Sequence, residues 1–236
     1  MKTLRFLPLP LLTALILTAC TPQAAPVETT APPPEEPRAL TQEEIDQVNE
    51  AFSPCVERDG VTYTTPVNGF FTSYYDDVTA LDLEEFLRYY PDDGLVENEN
   101  QAEFTALAAL PGYPFAGEAE ELGWTSPNDL PVPTHRILRA SVDETLERYA
   151  GITTADLTNT KGTLYLEEYD AYYTFTCDFG PGTFVCAGGE VDEAAGTALL
   201  WTDTREDCSR TELTLGRDGE HWHIRAHQIK TTMKTE

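Results

Sequence analysis

Six prolines between Thr21 and Pro37 decide where this chain can begin to fold. The stretch TPQAAPVETTAPPPEEP holds no bulky apolar residue except Val27. No core can form from it, and consecutive prolines favour an extended, semi-rigid spacer. At ~3.1 Å per residue it reaches roughly 50–60 Å. What precedes the spacer has a different character. Lys2 and Arg5 are followed by an apolar run from Phe6 to Ala19, small residues at its end, and then Cys20. That is the layout of a secretory signal. The run is 14 residues long and carries Pro8 and Pro10, whereas a membrane-spanning helix needs ~20 apolar residues.

The end of that run, Leu17-Thr18-Ala19-Cys20, resembles the lipobox of bacterial lipoproteins. The resemblance implies that Cys20 receives a diacylglyceryl group on its sulfur and becomes the first residue of the processed chain. The chain would then meet the cell membrane through that lipid anchor only, on the extracytoplasmic face. On this reading residues 1–19 are the signal peptide and 20–39 the proline-rich tether.

Acidity narrows the partners. The 236-residue chain carries a net charge of −26, or −28 once Lys2 and Arg5 leave with the signal peptide. An excess of this size argues against nucleic acid, whose phosphates attract Lys and Arg, so no nucleic-acid partner is expected. Electrostatic docking on anionic lipid or cell-wall polymer is disfavoured for the same reason. The acids are spread along the chain, as expected of a solvated surface.

The folded part begins at residue 40. Thr41-Gln42-Glu43-Glu44 is a capping box flanked by Leu40 and Ile45, and Ile45, Val48 and Phe52 share one helical face. Residues 61–75 read as extended around Pro66. A second helix is expected from Thr79, with Leu83, Phe86, Leu87 and Tyr90 at helical spacing, and a third over 103–110. The Pro- and Gly-rich stretch 111–133 reads as a long irregular loop, either functional or a joint between subdomains. Beyond it, 135–140 suits a strand. Ser141-Val142-Asp143-Glu144 is a second capping box, and Gly151 suits the end of its helix. From Thr163 the pattern is β: 163–169, 171–179, 183–191, 197–203, 210–217 and 220–229. The expected class is α+β, with short N-terminal helices over 40–133 and a packed helix plus antiparallel β-meander over 134–232. The two parts form either one domain or two.

Two hairpins can be put in register. A turn at Gly180-Pro181-Gly182-Thr183 sets Phe179 opposite Phe184, Cys177 opposite Cys186 and Phe175 opposite Gly188. A turn at Asp218-Gly219 sets Leu215 opposite Trp222, Leu213 opposite Ile224 and Glu212 opposite Arg225. Four cysteines besides Cys20 permit two disulfides in an exported chain. The register pairs Cys177 with Cys186, which leaves Cys55 with Cys208 by elimination. Four reduced, mostly buried thiols are the rival.

The segments Val132-Pro133-Thr134-His135, Val142 through Ile152 and Glu167 through Tyr173 carry a second likeness. They resemble a region recurring in lipoproteins of Gram-positive, clostridial-type gut bacteria. Its marks are a capped helix ending in an aromatic-x-Gly-Ile step, then a tyrosine-rich strand and a meander. The likeness implies a compartment and an architecture, and brings no activity.

Motifs for chemistry are sparse. No G-x-S-x-G, S-x-x-K or H-E-x-x-H is present, so no catalytic residue is assigned. The second register puts His221, His223 and His227 on one strand face with Arg225 among them, and a solvated face explains them better than a metal site. Asp92-Asp93-Gly94 with Glu97 and Glu99 is the best calcium candidate, but it lacks the alternating ligand spacing of an EF-hand loop. Neither metal nor cofactor is expected. Tyr74-Tyr75, Tyr89-Tyr90 and Tyr172-Tyr173 should each place one ring in the core and leave the other partly exposed. The reading that results is a membrane-anchored surface lipoprotein acting as a binding or interaction module for an extracellular ligand or protein. A carboxylate-dependent envelope hydrolase is the alternative, and a structural or regulatory lipoprotein the third.

Overall fold

The structure is a computed structural model that describes residues 36–175 and 180–231; the signal peptide, most of the tether and Cys177 lie outside them. The described chain is an α+β fold whose order begins with β1 (Arg38–Ala39) and α1 (Gln42–Ala51). The capping box that opens α1 is formed: Glu44 N donates to the Thr41 hydroxyl at 3.3 Å, and Thr41 N donates to the Glu44 carboxylate at 2.8 Å. Ile45, Val48 and Ala51 turn one face of the helix onto the core.

A hairpin of β2 (Cys55–Arg58) and β3 (Val61–Thr64) follows. The extended reading of 61–75 ends early, because Pro66–Phe71 winds into a 3-10 turn that buries Val67, Phe70 and Phe71. The helix expected from Thr79 also starts late. Val78–Ala80 is a separate turn capped by Asp77, and Asp82 caps α2 (Leu83–Leu87) by accepting from Glu85 N at 3.1 Å. Phe70 and Phe86 meet edge to face at 5.1 Å, a geometry worth about 0.5–1.5 kcal/mol beyond burial.

α3 (Gln101–Ala108) is followed by α4 (Ala116–Leu122), which occupies part of the stretch expected to be irregular. β4 (His135–Leu138) runs directly into α5 (Arg139–Ala150). The helix starts two residues before the expected Ser141 box. Its start is held by Asp93 instead, whose carboxylate accepts from Leu138 N at 2.8 Å and from Ser141 Oγ at 3.0 Å. β5 (Leu164–Leu166) and β6 (Ala171–Thr174) complete a small sheet of order β4-β6-β5.

The large sheet is antiparallel, in the order β1-β7-β8-β9-β10, adding β7 (Gly188–Asp192), β8 (Thr197–Trp201), β9 (Ser209–Asp218) and β10 (His221–Thr231). Among the described residues, β6 and β7 do not pair with each other as the hairpin expected between 171–179 and 183–191 requires. β6 pairs with β4 and β5, and the free side of β7 is taken by β1, with Arg38 opposite Val191 and Ala39 opposite Glu190. Phe175 therefore packs with Tyr113 and Phe115, while Phe184 stacks on Phe71 in a different cluster.

The β9–β10 hairpin is formed, but its register is two residues from the expected one. Asp218 faces His221 and Leu215 faces Ile224, so Gly219 and Glu220 make the loop, with Gly219 supplying the positive φ of 59°. A bulge at Arg225 then shifts the ladder again, so that Leu213 faces His227. An extra residue in one strand reverses the alternation beyond it.

Two clusters of buried side chains result. The larger draws Phe52, Phe70 and Phe86 from the N-terminal part and Leu146, Leu200, Leu213 and Ile224 from the C-terminal part. The smaller joins Phe104, Leu107 and Tyr113 to Leu164, Leu166 and Tyr173.

Candidate functional site

Where α1 and α5 lie over the large sheet they leave a groove of about 970 Å³. Its apolar lining comes from Phe52 and Val48 of the first helix, Leu200 and Leu215 of the sheet, and Tyr149 and Trp222 at the sides. Local rules explain each contribution. The 3.6-residue period puts Val48 and Phe52 on one face of the first helix. Alternation along β8 and β9 turns Ala198, Leu200 and Leu215 inward. Trp222 is half-buried, with the Arg217 guanidinium over its ring at 5.6 Å.

Charge surrounds this lining. Glu44, Glu144, Glu147, Glu193 and Glu220 lie along the groove with Arg38 and Arg148. Arg38 holds Glu44 at 2.7 Å and reaches Glu193 at 3.4 Å, and Arg217 holds Glu193 at 3.0 Å. The Arg38 hydrogen bond, helped by Thr41, draws the Glu44 carboxyl down to about 2, so that it stays ionised. His221 and His223 stack in parallel at 6.4 Å. Burial, then Arg225, lowers His223 below the ordinary imidazole value.

The histidines expected on one face are separated by the bulge. His227 is 2% exposed and packs against Phe71, Tyr74, Tyr75 and Phe184. Its Nδ1 donates to Ser73 O at 2.7 Å, while its buried Nε2 has no hydrogen-bond partner among the described residues. Burial lowers its pKa. Arg225, at the bulge, donates to Ala150 O at 3.1 Å and so satisfies a carbonyl at the end of α5.

The calcium candidate is engaged in structural bonds. Asp92 accepts from Gly94 N at 3.1 Å and pairs with His135 Nδ1 at 2.6 Å, and Asp93 holds the start of α5. Glu97 caps the short turn Asn98–Asn100. Among the described residues no group of three or more His, Cys, Asp or Glu is arranged to hold a metal ion.

Of the cysteines expected to pair, three lie among the described residues. Cys177, like Cys20, lies outside the described residues. Cys186 is a buried free thiol, raised by desolvation, whose Sγ donates to Gly188 O at 3.3 Å. The Cys55–Cys208 bridge is not formed, and both thiols are free. Cys55 is fixed opposite Thr64 in its hairpin, and Cys208 closes a left-handed turn (φ 62°) in which its N donates to Arg205 O.

Two tyrosine pairs divide between core and surface as expected: Tyr75 and Tyr90 are buried, Tyr74 is exposed and Tyr89 is half-buried. Tyr172 and Tyr173 depart from that pattern. Both are buried, one in each cluster. Tyr173 donates to a carboxylate that sequence reasoning missed. Glu103, on α3, is 2% exposed, accepts from Tyr173 at 2.7 Å and pairs with Arg136 at 3.0 Å. It lies between Phe104 and Leu107 in sequence, and only the neighbouring small sheet supplies its partners.

No helix among the described residues is long and apolar enough to cross a membrane. No family model matches the chain, and neither a curated protein nor a solved structure is similar enough to it to carry an argument.

Proposed function

We propose that this chain is a lipid-anchored, extracytoplasmic binding module whose ligand sits in the groove between α1, α5 and the large sheet. The observation that carries this reading is the groove itself. Its volume of about 970 Å³ lies at the upper end of the range typical of small-molecule sites, roughly 300–1,000 Å³. Its floor is apolar and its edges are polar, the division that such sites use to gain affinity from burial and orientation from charge. The anchor rests on the Leu17–Cys20 segment, and the tether would hold the groove away from the bilayer.

Two experiments test the two halves of the proposal. Nile red, a neutral apolar dye, should bind the chain from residue 20 onward, made with Cys20→Ser so that it is not acylated, with a saturable rise in fluorescence. Ala51→Trp, which projects a large ring from α1 into the groove, should abolish that rise. Equal binding by the variant would place the dye elsewhere and end the groove reading. In cells, radioactive palmitate should label the full chain and not Cys20→Ala; labelling of both would end the anchor reading.

A further inference from the structure

We infer that the ligand of this groove is a cationic amphiphile, an elongated apolar body ending in a single positively charged head group. The inference rests on the groove being the binding site and adds the chemistry of what it accepts.

The charges of the lining divide into two sets. Glu44 and Glu193 are held by Arg38 and Arg217 in a chain of ion pairs at 2.7, 3.4 and 3.0 Å. Glu144, Glu147 and Glu220 make no salt bridge among the described residues, although all three line the same groove and are exposed. They come from two elements. Glu144 and Glu147 stand three apart on α5, and residues at that spacing share a helix face. Glu220 stands in the β9–β10 loop, beside Trp222. Of the two arginines of the lining, Arg38 is occupied by its glutamates and Arg148 lies over the Tyr149 ring at 5.3 Å. The lining therefore presents three carboxylates without a salt bridge among the described residues, together with Tyr149 and Trp222, whose rings Arg148 and Arg217 face at 5.3 and 5.6 Å. With five glutamates against Arg38 and Arg148 the lining carries an excess of carboxylate, which repels an anionic head group and attracts a cationic one. The apolar floor formed by Leu200, Leu215, Val48 and Phe52 takes the chain of the amphiphile.

The size of the groove selects a small molecule over a helical segment. An α-helix with its side chains is about 10–12 Å across, so a space of about 970 Å³ would hold no more than about two turns of one.

The test compares three probes that share a dodecyl chain: dodecyltrimethylammonium, dodecyldimethylamine oxide (neutral at pH 8) and dodecyl sulfate, all below their micelle concentrations. The protein is the chain from residue 20 onward with Cys20→Ser, which keeps every described residue, and binding is read by calorimetry. The cation should bind roughly tenfold more tightly than the neutral probe, the sum expected from a few partly exposed ion contacts, and the sulfate should bind most weakly. Glu144→Gln, Glu147→Gln and Glu220→Gln together should erase the preference for the cation and leave the affinity for the amine oxide unchanged. Equal binding of cation and amine oxide by the unaltered chain would overturn the inference and leave the groove reading standing. Binding of none of the three would overturn the groove reading itself. A preference that survives the triple substitution, or that persists when Ala51→Trp or Val48→Trp fills the groove, would show attraction to the acidic surface at large and would equally overturn the inference. Far-ultraviolet circular dichroism and melting curves establish that each variant is folded, and having two filling variants keeps the test decisive if one of them is not.

Discussion

A single imidazole sets an acid limit on this fold. His227 keeps its Nδ1 proton on Ser73 O and turns a bare Nε2 into a shell of aromatic rings. Protonation would place a second N–H, and a charge, where no described residue accepts them. Burial depresses His227, and burial with Arg225 depresses His223. The unfolded chain takes up these protons at the ordinary value of ~6.5, before the native state does. It therefore binds more protons just below that value. The stabilisation from neutral imidazoles is whole above ~6.5 and declines as pH falls toward the lowered native values. Acidification also relieves repulsion among carboxylates, so the informative quantity is a difference. Melting temperatures of the unaltered chain and of His227→Phe should be compared between about pH 7.5 and pH 5.5. The unaltered chain should lose stability relative to the variant on going down, and parallel curves would refute the assignment.

At the scale of elements, the end of α5 is the most exacting junction. Gly151 holds a left-handed φ of 68°, and a Cβ there would stand 2.7 Å from Nδ1 of His223. Gly151→Ala should cost about 1–3 kcal/mol, seen as a lower urea midpoint with an unchanged slope. A loss near zero would mean that His223 moves freely away. This junction was legible in sequence as far as the glycine. The same holds for α1, whose capping box and apolar face are entirely local signals. Local signals fail where a distant group does the work. α5 begins at Arg139 because Asp93 reaches it from another loop, and β7 pairs with β1 instead of the 171–179 segment because strand pairing is a tertiary choice. The histidine face failed for a subtler reason. Period-2 reasoning assumes an unbroken strand, and the bulge at Arg225 is invisible to it. Apolar residues of the groove, such as Val48 and Leu215, were legible as core-facing. That they border an unfilled space was not, since a vacancy between elements leaves no mark on either.

For the whole molecule, the decisive quantity is a net charge of −26 on 236 residues. Charges of one sign repel most in the compact state, and salt screens them within about 10 Å at 0.1 M. The melting temperature should rise by a few degrees between about 20 mM and 500 mM sodium chloride. A fall would show that ion pairs such as Arg38–Glu44, Arg136–Glu103 and Arg139–Asp170 (2.6 Å) outweigh the general repulsion.

β1 has a mechanical consequence. It is two residues long, it forms the outer edge of the large sheet, and its Arg38 clamps Glu44 and Glu193 at the side of the groove. Any tension carried by the chain before residue 36 enters the fold at this strand. A force large enough to peel two residues from β7 removes the Arg38 link between Glu44 and Glu193 before it disturbs the buried core, leaving Glu44 to its Thr41 cap and Glu193 to Arg217. Under load the side of the groove yields first, and if the groove holds the proposed ligand, the grip on it becomes a function of how hard the molecule is pulled.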